Sequence, residues 1–132
     1  MITYEELLKA AEKAKENAYA PYSRFRVGAA LLAKSGKVYT GANVESASYS
    51  VSCCAERSAL YAAVSSGETA FLAIAVTSDS KRVTYPCGIC RQALCEFSPG
   101  MDVISANNDL KYETKTLDSL LPHAFSGKEM EK

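Results

Sequence analysis

The sequence has 132 residues and 48% hydrophobic content, which fits a single domain over residues 1–132 with a substantial core. Lys plus Arg and Asp plus Glu number 15 each, so no basic surplus favours nucleic acid, and we expect a small neutral partner instead. Apolar runs too short for a bilayer, and acidic residues where a signal peptide would be basic, predict a cytoplasmic protein with no membrane partner.

The first predicted helix begins with a capping box formed by Thr3 and Glu6. Pro21 is expected to end the segment. The apolar face between these points has helical spacing and consists of Leu7, Ala11, Ala14 and Ala18.

A β-hairpin is predicted next, with strands at residues 25–31 and 37–40 on either side of a turn at Ser35 and Gly36. Phe25 stands where the first strand begins. Its ring fits either a place in the core or a wall against a flat base, and the pattern leaves both open.

A polar loop over residues 41–52 leads to a second helix, which is predicted from near Cys54 to Gly67. Asn43 and Glu45 lie two residues apart in this loop, so in extended chain their side chains point the same way. They could hold a vicinal diol, although such residues are also common in turns.

The rest of the chain alternates strands with helices. We predict a buried strand at 71–77, a helix at 87–97, strands at 101–106 and 112–116, and a short helix at 117–121. This order predicts an α/β fold, a three-layer α/β/α sandwich with a mixed five-stranded sheet. The functional site is expected at strand ends where two helix N-termini converge.

Three cysteines lie at helix starts: Cys54 at the start of the second helix, and Cys87 and Cys90 in a Cys-x-x-Cys at the first turn of the third. Five cysteines in a chain without an export signal favour metal binding over a disulfide framework. Structural zinc usually has four protein ligands, whereas three ligands leave a position for catalysis. We therefore predict a catalytic Zn²⁺ site, although a cysteine pair alone also fits a structural zinc half-site or a redox motif.

Charged residues accompany these ligands. Glu56 follows Cys54 by two positions and would lie near the ion without binding it. Three thiolates on one divalent ion leave a negative cluster that needs compensation. Arg57 and Arg91 are placed to donate hydrogen bonds to the sulfurs, although both could instead be surface arginines.

The Cys-Ala-Glu motif, followed about thirty residues later by Pro-Cys-x-x-Cys, resembles the zinc-dependent nucleoside deaminases. Within that class the sequence is similar to the small cytidine deaminases from Glu6 to Ser126. The resemblance implies hydrolysis of cytidine and 2'-deoxycytidine to uridine and 2'-deoxyuridine plus ammonia, a step of pyrimidine salvage. Glu56 would take a proton from the attacking water, deliver one to the ring nitrogen and help to protonate the leaving ammonia.

The resemblance also implies roles for positions that the patterns leave open. Phe25 would face the base, Asn43 and Glu45 would hold the ribose 3'-hydroxyl, and the Ala55 backbone would contact the pyrimidine carbonyl. A homotetramer is implied, in which three further residues complete a neighbouring subunit's pocket: Ala47, Tyr49 and Phe125.

The sequence has two further cysteines, Cys53 and Cys95. The Cys-Ala-Glu spacing selects Cys54 over the adjacent Cys53 as the ligand, and Cys95 is expected in the core.

A deaminase of another amino-heterocycle, such as blasticidin S, is an alternative function that would use the same metal and Glu56. A structural zinc module for nucleic acid would need His123 as its fourth ligand and a basic face. Zero net charge argues against that module and against a polynucleotide deaminase.

Overall fold

A computed structural model describes all 132 residues of the chain. The elements in order are α1 (Tyr4–Lys15), β1 (Val27–Ala33), β2 (Val38–Ala42), α2 (Ala55–Ser65), β3 (Phe71–Ser78), α3 (Gly88–Cys95), β4 (Asp102–Ala106), β5 (Tyr112–Thr116) and α4 (Leu117–Leu120). Short 3₁₀ segments lie at Tyr49–Val51 and Gly127–Met130. None of the helices has the length and apolar content that crossing a bilayer requires.

The strands form one mixed five-stranded sheet, as predicted, and their order is β2-β1-β3-β4-β5. Only β3 and β4 pair in parallel, and the other neighbours are antiparallel. The central strand β3 is almost entirely buried, which agrees with its continuous apolar sequence.

Helices cover both faces of the sheet, which confirms the predicted three layers. The strands alternate their side chains between two apolar clusters. One cluster packs the sheet against α2, α3 and α4, and includes Leu31, Leu60, Ile74, Leu94, Val103 and Leu117. The other packs the opposite face against α1, and includes Leu7, Leu8, Ala11, Leu32, Ala75 and Ile104.

Two glycines allow helices to lie directly on strand backbone. A Cβ at Gly28 would stand 2.0 Å from the Ala11 carbonyl oxygen of α1. A Cβ at Gly41 would stand 2.4 Å from the Ala59 nitrogen and 2.5 Å from the Ala55 oxygen of α2. Only glycine permits such an approach. Because Ala55 begins α2, the Gly41 contact also fixes the end of that helix where Cys54 lies.

Helix α1 ends at Lys15, earlier than the predicted stop at Pro21. The buried Lys15 ammonium donates to the Ser78 carbonyl oxygen at 3.2 Å and lies 3.3 Å from the Asp79 carboxylate. The chain then leaves the helix and Tyr19 forms a β-bridge with Val44. Tertiary contacts therefore override the helical spacing that continues to Ala18.

Strand β1 begins at Val27, two residues after the predicted start at Phe25. The Phe25 side chain is 39% exposed, so it is not a core aromatic. This excludes the core position, which was one of the two interpretations that the sequence left open.

Asp79 should make the stability of this fold depend on pH. Hydrogen bonds from Arg26, at 3.0 Å, and the contact with Lys15 lower the pKa of the Asp79 carboxyl. Its carboxylate therefore stabilises the fold above the pKa of the unfolded residue, and that contribution is lost as the pH falls through the lower folded-state pKa.

We expect Asp79→Asn to lower the free energy of unfolding at pH 7 by about 1 to 2 kcal/mol, because Lys15 loses its counter-ion. The variant should also lose less stability than the parent between about pH 5 and pH 3. Urea denaturation at several pH values measures both effects. The exposed Asp109→Asn variant is the control, and an identical acid dependence of Asp79→Asn and the parent would contradict the assignment.

Candidate active site

The sulfur atoms of Cys54, Cys87 and Cys90 lie together, all within 4.8 Å of one another. The Cys54 and Cys87 sulfurs are 3.7 Å apart. Thiolates at tetrahedral positions about 2.3 Å from a zinc ion stand about 3.8 Å apart, so the spacing and the donor type both fit zinc. Three sulfurs leave one tetrahedral position for another ligand.

Two helix N-termini bring these sulfurs together. Cys54 is the N-cap of α2, Cys87 is the N-cap of α3, and Cys90 lies in the first turn of α3. Neither N-cap sulfur bonds to its own helix backbone, so both side chains are directed to the shared cluster. The positive ends of both helix dipoles favour the thiolate forms by about 0.3 to 1 kcal/mol each.

Glu56 is buried beside the cluster, with 4% of its surface exposed. Burial, aided by the negative charge of Cys54, raises the pKa of Glu56 to about 7, while its own backbone N–H and Arg57 oppose the shift. A carboxyl with a pKa near neutrality can both accept and release a proton at physiological pH. Burial and a raised pKa were not predicted from the sequence, but both would suit the proton-carrying role expected for Glu56.

Arg57 contacts the sulfurs as expected. Its Nη2 donates to the Cys54 sulfur at 3.7 Å. Burial works against the charged form, but the sulfurs of Cys54 and Cys90 raise the pKa of Arg57 overall. A hydrogen bond from the Cys90 thiol and the contact with Arg57 lower the pKa of Cys54. Arg57 thus offsets the negative charge of the ligand cluster.

The predicted contact of Arg91 with the sulfurs is wrong. Its Nε donates to the Pro86 carbonyl oxygen at 2.7 Å and its Nη1 to the Leu120 carbonyl oxygen at 2.8 Å. Helix rotation explains the difference, because successive residues point about 100° apart and Arg91 follows the ligand Cys90 directly. Arg91 instead joins the segment before Cys87 to α4.

The two remaining cysteines lie outside the cluster. Cys53 forms a β-bridge with Val44, and its sulfur accepts a hydrogen bond from Ser58 Oγ at 3.7 Å. The cluster therefore contains Cys54, as the motif spacing predicted. Cys95 packs against the core, where burial raises the pKa of its thiol.

A cleft of about 260 Å³ opens beside the sulfur cluster. It brings together many of the residues predicted for the site, namely Phe25, Asn43, Cys54, Ala55, Glu56 and Cys87. Val27, Thr84 and Tyr85 also line it and were not singled out from the sequence. The sequence signal that could have identified Tyr85 as a cleft residue is its position just before Pro86 and Cys87. A smaller adjoining cleft adds Glu45, along with Ser52 and Cys53.

Comparison with known proteins agrees with this geometry. Residues 1–106 match the model of the cytidine and deoxycytidylate deaminase zinc-binding region. The chain belongs to this deaminase family. Because the matching region is a zinc-binding one, zinc is the metal that the three clustered sulfurs are suited to bind.

Full-length relatives support the same assignment. The chain is 46% identical over 127 residues to a cytidine deaminase of Sporosarcina psychrophila, covering 96% of this chain and 93% of the relative. It is 49% identical over 125 residues to that of Halalkalibacterium halodurans, covering 94% and 95%. The crystal structure of the Burkholderia pseudomallei cytidine deaminase superposes with a TM-score of 0.91 at 44% identity, covering 94% of this chain and all of that one.

Asn43 and Glu45 have structural partners in this deaminase fold. The Asn43 side chain donates to the Phe25 carbonyl oxygen at 2.8 Å and accepts from the Val27 N–H at 2.9 Å. Glu45 accepts from the backbone N–H groups of Tyr22 and Ser23, each at 3.0 Å. Both side chains therefore hold the segment that carries Phe25.

Three predicted pocket residues do not line the cleft of their own chain: Ala47, Tyr49 and Phe125. Tyr49 is 75% exposed and contacts the edge of the Tyr22 ring. Phe125 is 61% exposed, and Gln92 donates to its carbonyl oxygen at 2.9 Å. The Phe125 side chain lies beside Cys95 and Pro99, in a different cleft.

We expect one zinc ion per chain, and loss of that zinc in Cys54→Ala because one of three sulfur ligands is removed. Metal analysis of the purified protein measures the content. The neighbouring Cys53→Ala variant is the matched control and should retain zinc. Full zinc in Cys54→Ala with loss in Cys53→Ala would show that the ligand has been misassigned.

Proposed function

We propose that this chain hydrolyses cytidine and 2'-deoxycytidine to uridine and 2'-deoxyuridine with release of ammonia. The main structural support for this proposal is the buried Glu56 carboxyl, which shares one cleft with two of the three clustered cysteines. The third cysteine of the cluster, Cys90, is fully buried. The names of the relatives support cytidine as the substrate.

Cys54, Cys87 and Cys90 would hold the zinc. When bound, the ion supplies Lewis acidity that makes water nucleophilic near neutral pH. Glu56 accepts a proton from that water and gives one to N3 of the pyrimidine, so that attack at C4 does not place unbalanced charge on the ring. The same carboxyl then takes the proton of the hydroxyl group added at C4 and gives it to the amino group, so that the C4 carbonyl forms as ammonia leaves.

The remaining residues of the cleft would bind and orient the nucleoside. Phe25 offers an exposed ring face to the base. The Ala55 backbone lies at the start of α2, where N–H groups are free to meet the pyrimidine carbonyl. Asn43 and Glu45 each keep hydrogen-bonding capacity beyond their contacts in the protein, which leaves room for the ribose 3'-hydroxyl.

Glu56→Gln should keep the fold and the zinc but lower kcat for cytidine by roughly 10²-fold or more, because an amide cannot carry the proton. Absorbance of the pyrimidine measures turnover, and metal analysis measures zinc. Glu16→Gln, an exposed substitution on the surface, is the control. Turnover within about twofold of the parent would remove Glu56 from the proposed mechanism.

The same assay with cytidine, 2'-deoxycytidine, adenosine and blasticidin S distinguishes the proposal from its alternative. Deamination of the two cytosine nucleosides in preference to the other compounds supports it. Preference for blasticidin S would instead indicate a deaminase of another amino-heterocycle with the same metal and Glu56.

We also propose that the chain acts as a cytoplasmic homotetramer in pyrimidine salvage, with Ala47, Tyr49 and Phe125 completing a neighbour's pocket. Several large apolar side chains are exposed and suit burial against further copies. They include Tyr49, Val51, Ile89 and Phe125. The absence of Phe125 from the cleft of its own chain is compatible with a role in another subunit.

Phe125→Ala should raise KM for cytidine by roughly tenfold, because losing a stacked ring costs about 1 to 3 kcal/mol. Zinc content should not change. If Phe125 only anchors the tail to its own chain, the variant will instead have a lower Tm and nearly normal kinetics.

Mixed assemblies test whether Phe125 acts between subunits. Inactive Glu56→Gln chains retain Phe125, and Phe125→Ala chains retain Glu56, so mixing them should create some intact pockets. Activity above that of Phe125→Ala alone supports the shared site, and no recovery in confirmed mixed oligomers contradicts it.

A further inference from the structure

Tyr85 is an aromatic side chain in the cleft that has no part in the mechanism above. It comes from the segment between β3 and α3, two residues before the ligand Cys87. The Tyr85 hydroxyl donates a hydrogen bond to the Glu113 carboxylate on the edge strand β5. Tyr85 thus lines the cleft while its hydroxyl is held by the edge strand.

The residues on either side of Tyr85 are also tied to the fold. The Thr84 N–H donates to the Ala106 carbonyl oxygen at 3.1 Å, and the Thr84 hydroxyl lies 2.6 Å from that of Ser78. Arg91 binds the Pro86 carbonyl oxygen at 2.7 Å. With the backbone held before and after it, Tyr85 has little freedom to move its ring except by releasing Glu113.

We propose that Tyr85 is a specificity-determining wall of the nucleoside cleft and that Glu113 is the positioning residue that holds its ring. Tyr85 supplies a second aromatic surface besides Phe25 for a flat substrate. Glu113 lies on β5 and does not line the cleft, so it acts only through the Tyr85 hydroxyl.

The inference rests on the proposed function and concerns which substituents on the pyrimidine ring the cleft accepts. The reacting carbon must lie at the end of the cleft where Cys54, Glu56 and Cys87 are found. Tyr85 precedes Cys87 by two residues and therefore lies at this end. A substituent on C5 of the pyrimidine, beside the amino-bearing C4, would approach its ring.

The test compares cytidine with 5-methylcytidine on the zinc-loaded protein. Tyr85→Ala should raise KM for cytidine by roughly tenfold, because an aromatic contact with the base is lost. It should also lower the preference for cytidine over 5-methylcytidine, measured as the ratio of the two kcat/KM values, because the cleft widens. Tyr85→Phe keeps the ring and should keep most of that preference.

The hydrogen bond to Glu113 is tested separately. Tyr85→Phe and Glu113→Ala should each raise KM by about threefold with kcat nearly unchanged, since each removes the same neutral-to-charged hydrogen bond. The double variant should be no worse than either single one. Glu113→Gln keeps an acceptor oxygen and should restore a KM close to that of the parent.

A matched pair elsewhere on β5 provides the control. Tyr112 donates from its hydroxyl to Glu5 of α1 at 2.8 Å, and neither residue lines the cleft. Tyr112→Phe and Glu5→Ala should leave KM and the substrate ratio unchanged. Equal effects at both pairs would mean that the Tyr85 variants act through general stability.

Each outcome has a distinct meaning. An unchanged KM and substrate ratio in the Tyr85 variants, in a protein that deaminates cytidine, overturns this inference alone. The Tyr85 variants could instead have a lower Tm and lose zinc, yet show a normal KM once they are fully loaded with zinc. That result would mean that Tyr85 only anchors the segment before Cys87, and it would overturn the inference. Failure of the zinc-loaded parent to deaminate any cytosine nucleoside would overturn the proposed function and this inference with it.

Discussion

The site depends on two helices, α2 and α3, beginning at one point beside the sheet. Each has a cysteine as its N-cap, and the two N-cap sulfurs lie 3.7 Å apart. A shift of about 1 Å in either helix would spoil this spacing for a single ion. The direct packing of α2 on Gly41, and the bonds from Arg91 to Pro86 and Leu120, are therefore part of the site although neither touches the sulfurs.

Charge balance explains the residues around the sulfurs. Three thiolates exceed the charge of one divalent ion, and a buried carboxylate nearby adds to the excess. Arg57 supplies a positive charge directly at Cys54. Glu56 avoids a permanent negative charge because burial raises its pKa to about 7. The environment that makes the carboxyl costly to ionise thus suits it to the proposed proton transfer in both directions.

The local features of this protein could be predicted from its sequence because they depend on nearby residues. The apolar run of β3, the turn between β1 and β2, and the helix starts at Cys54 and Cys87 are of this kind. Arg91 was misplaced because the prediction relied on its adjacency to Cys90, whereas successive residues of a helix point about 100° apart. The early end of α1 also required knowledge of Ser78 and Asp79, which are distant in sequence.

Asn43 combines a structural role seen in its hydrogen bonds with the binding role proposed for it. Its amide joins Phe25 to Val27 across the start of β1, so the exposed ring is positioned before any substrate arrives. An asparagine side chain has two N–H donors and two acceptor lone pairs, and these contacts use one of each. The remaining donor and acceptor could meet a sugar hydroxyl without releasing Phe25. A single Asn43→Ala substitution would therefore remove the positioning of Phe25 together with the proposed ribose contact.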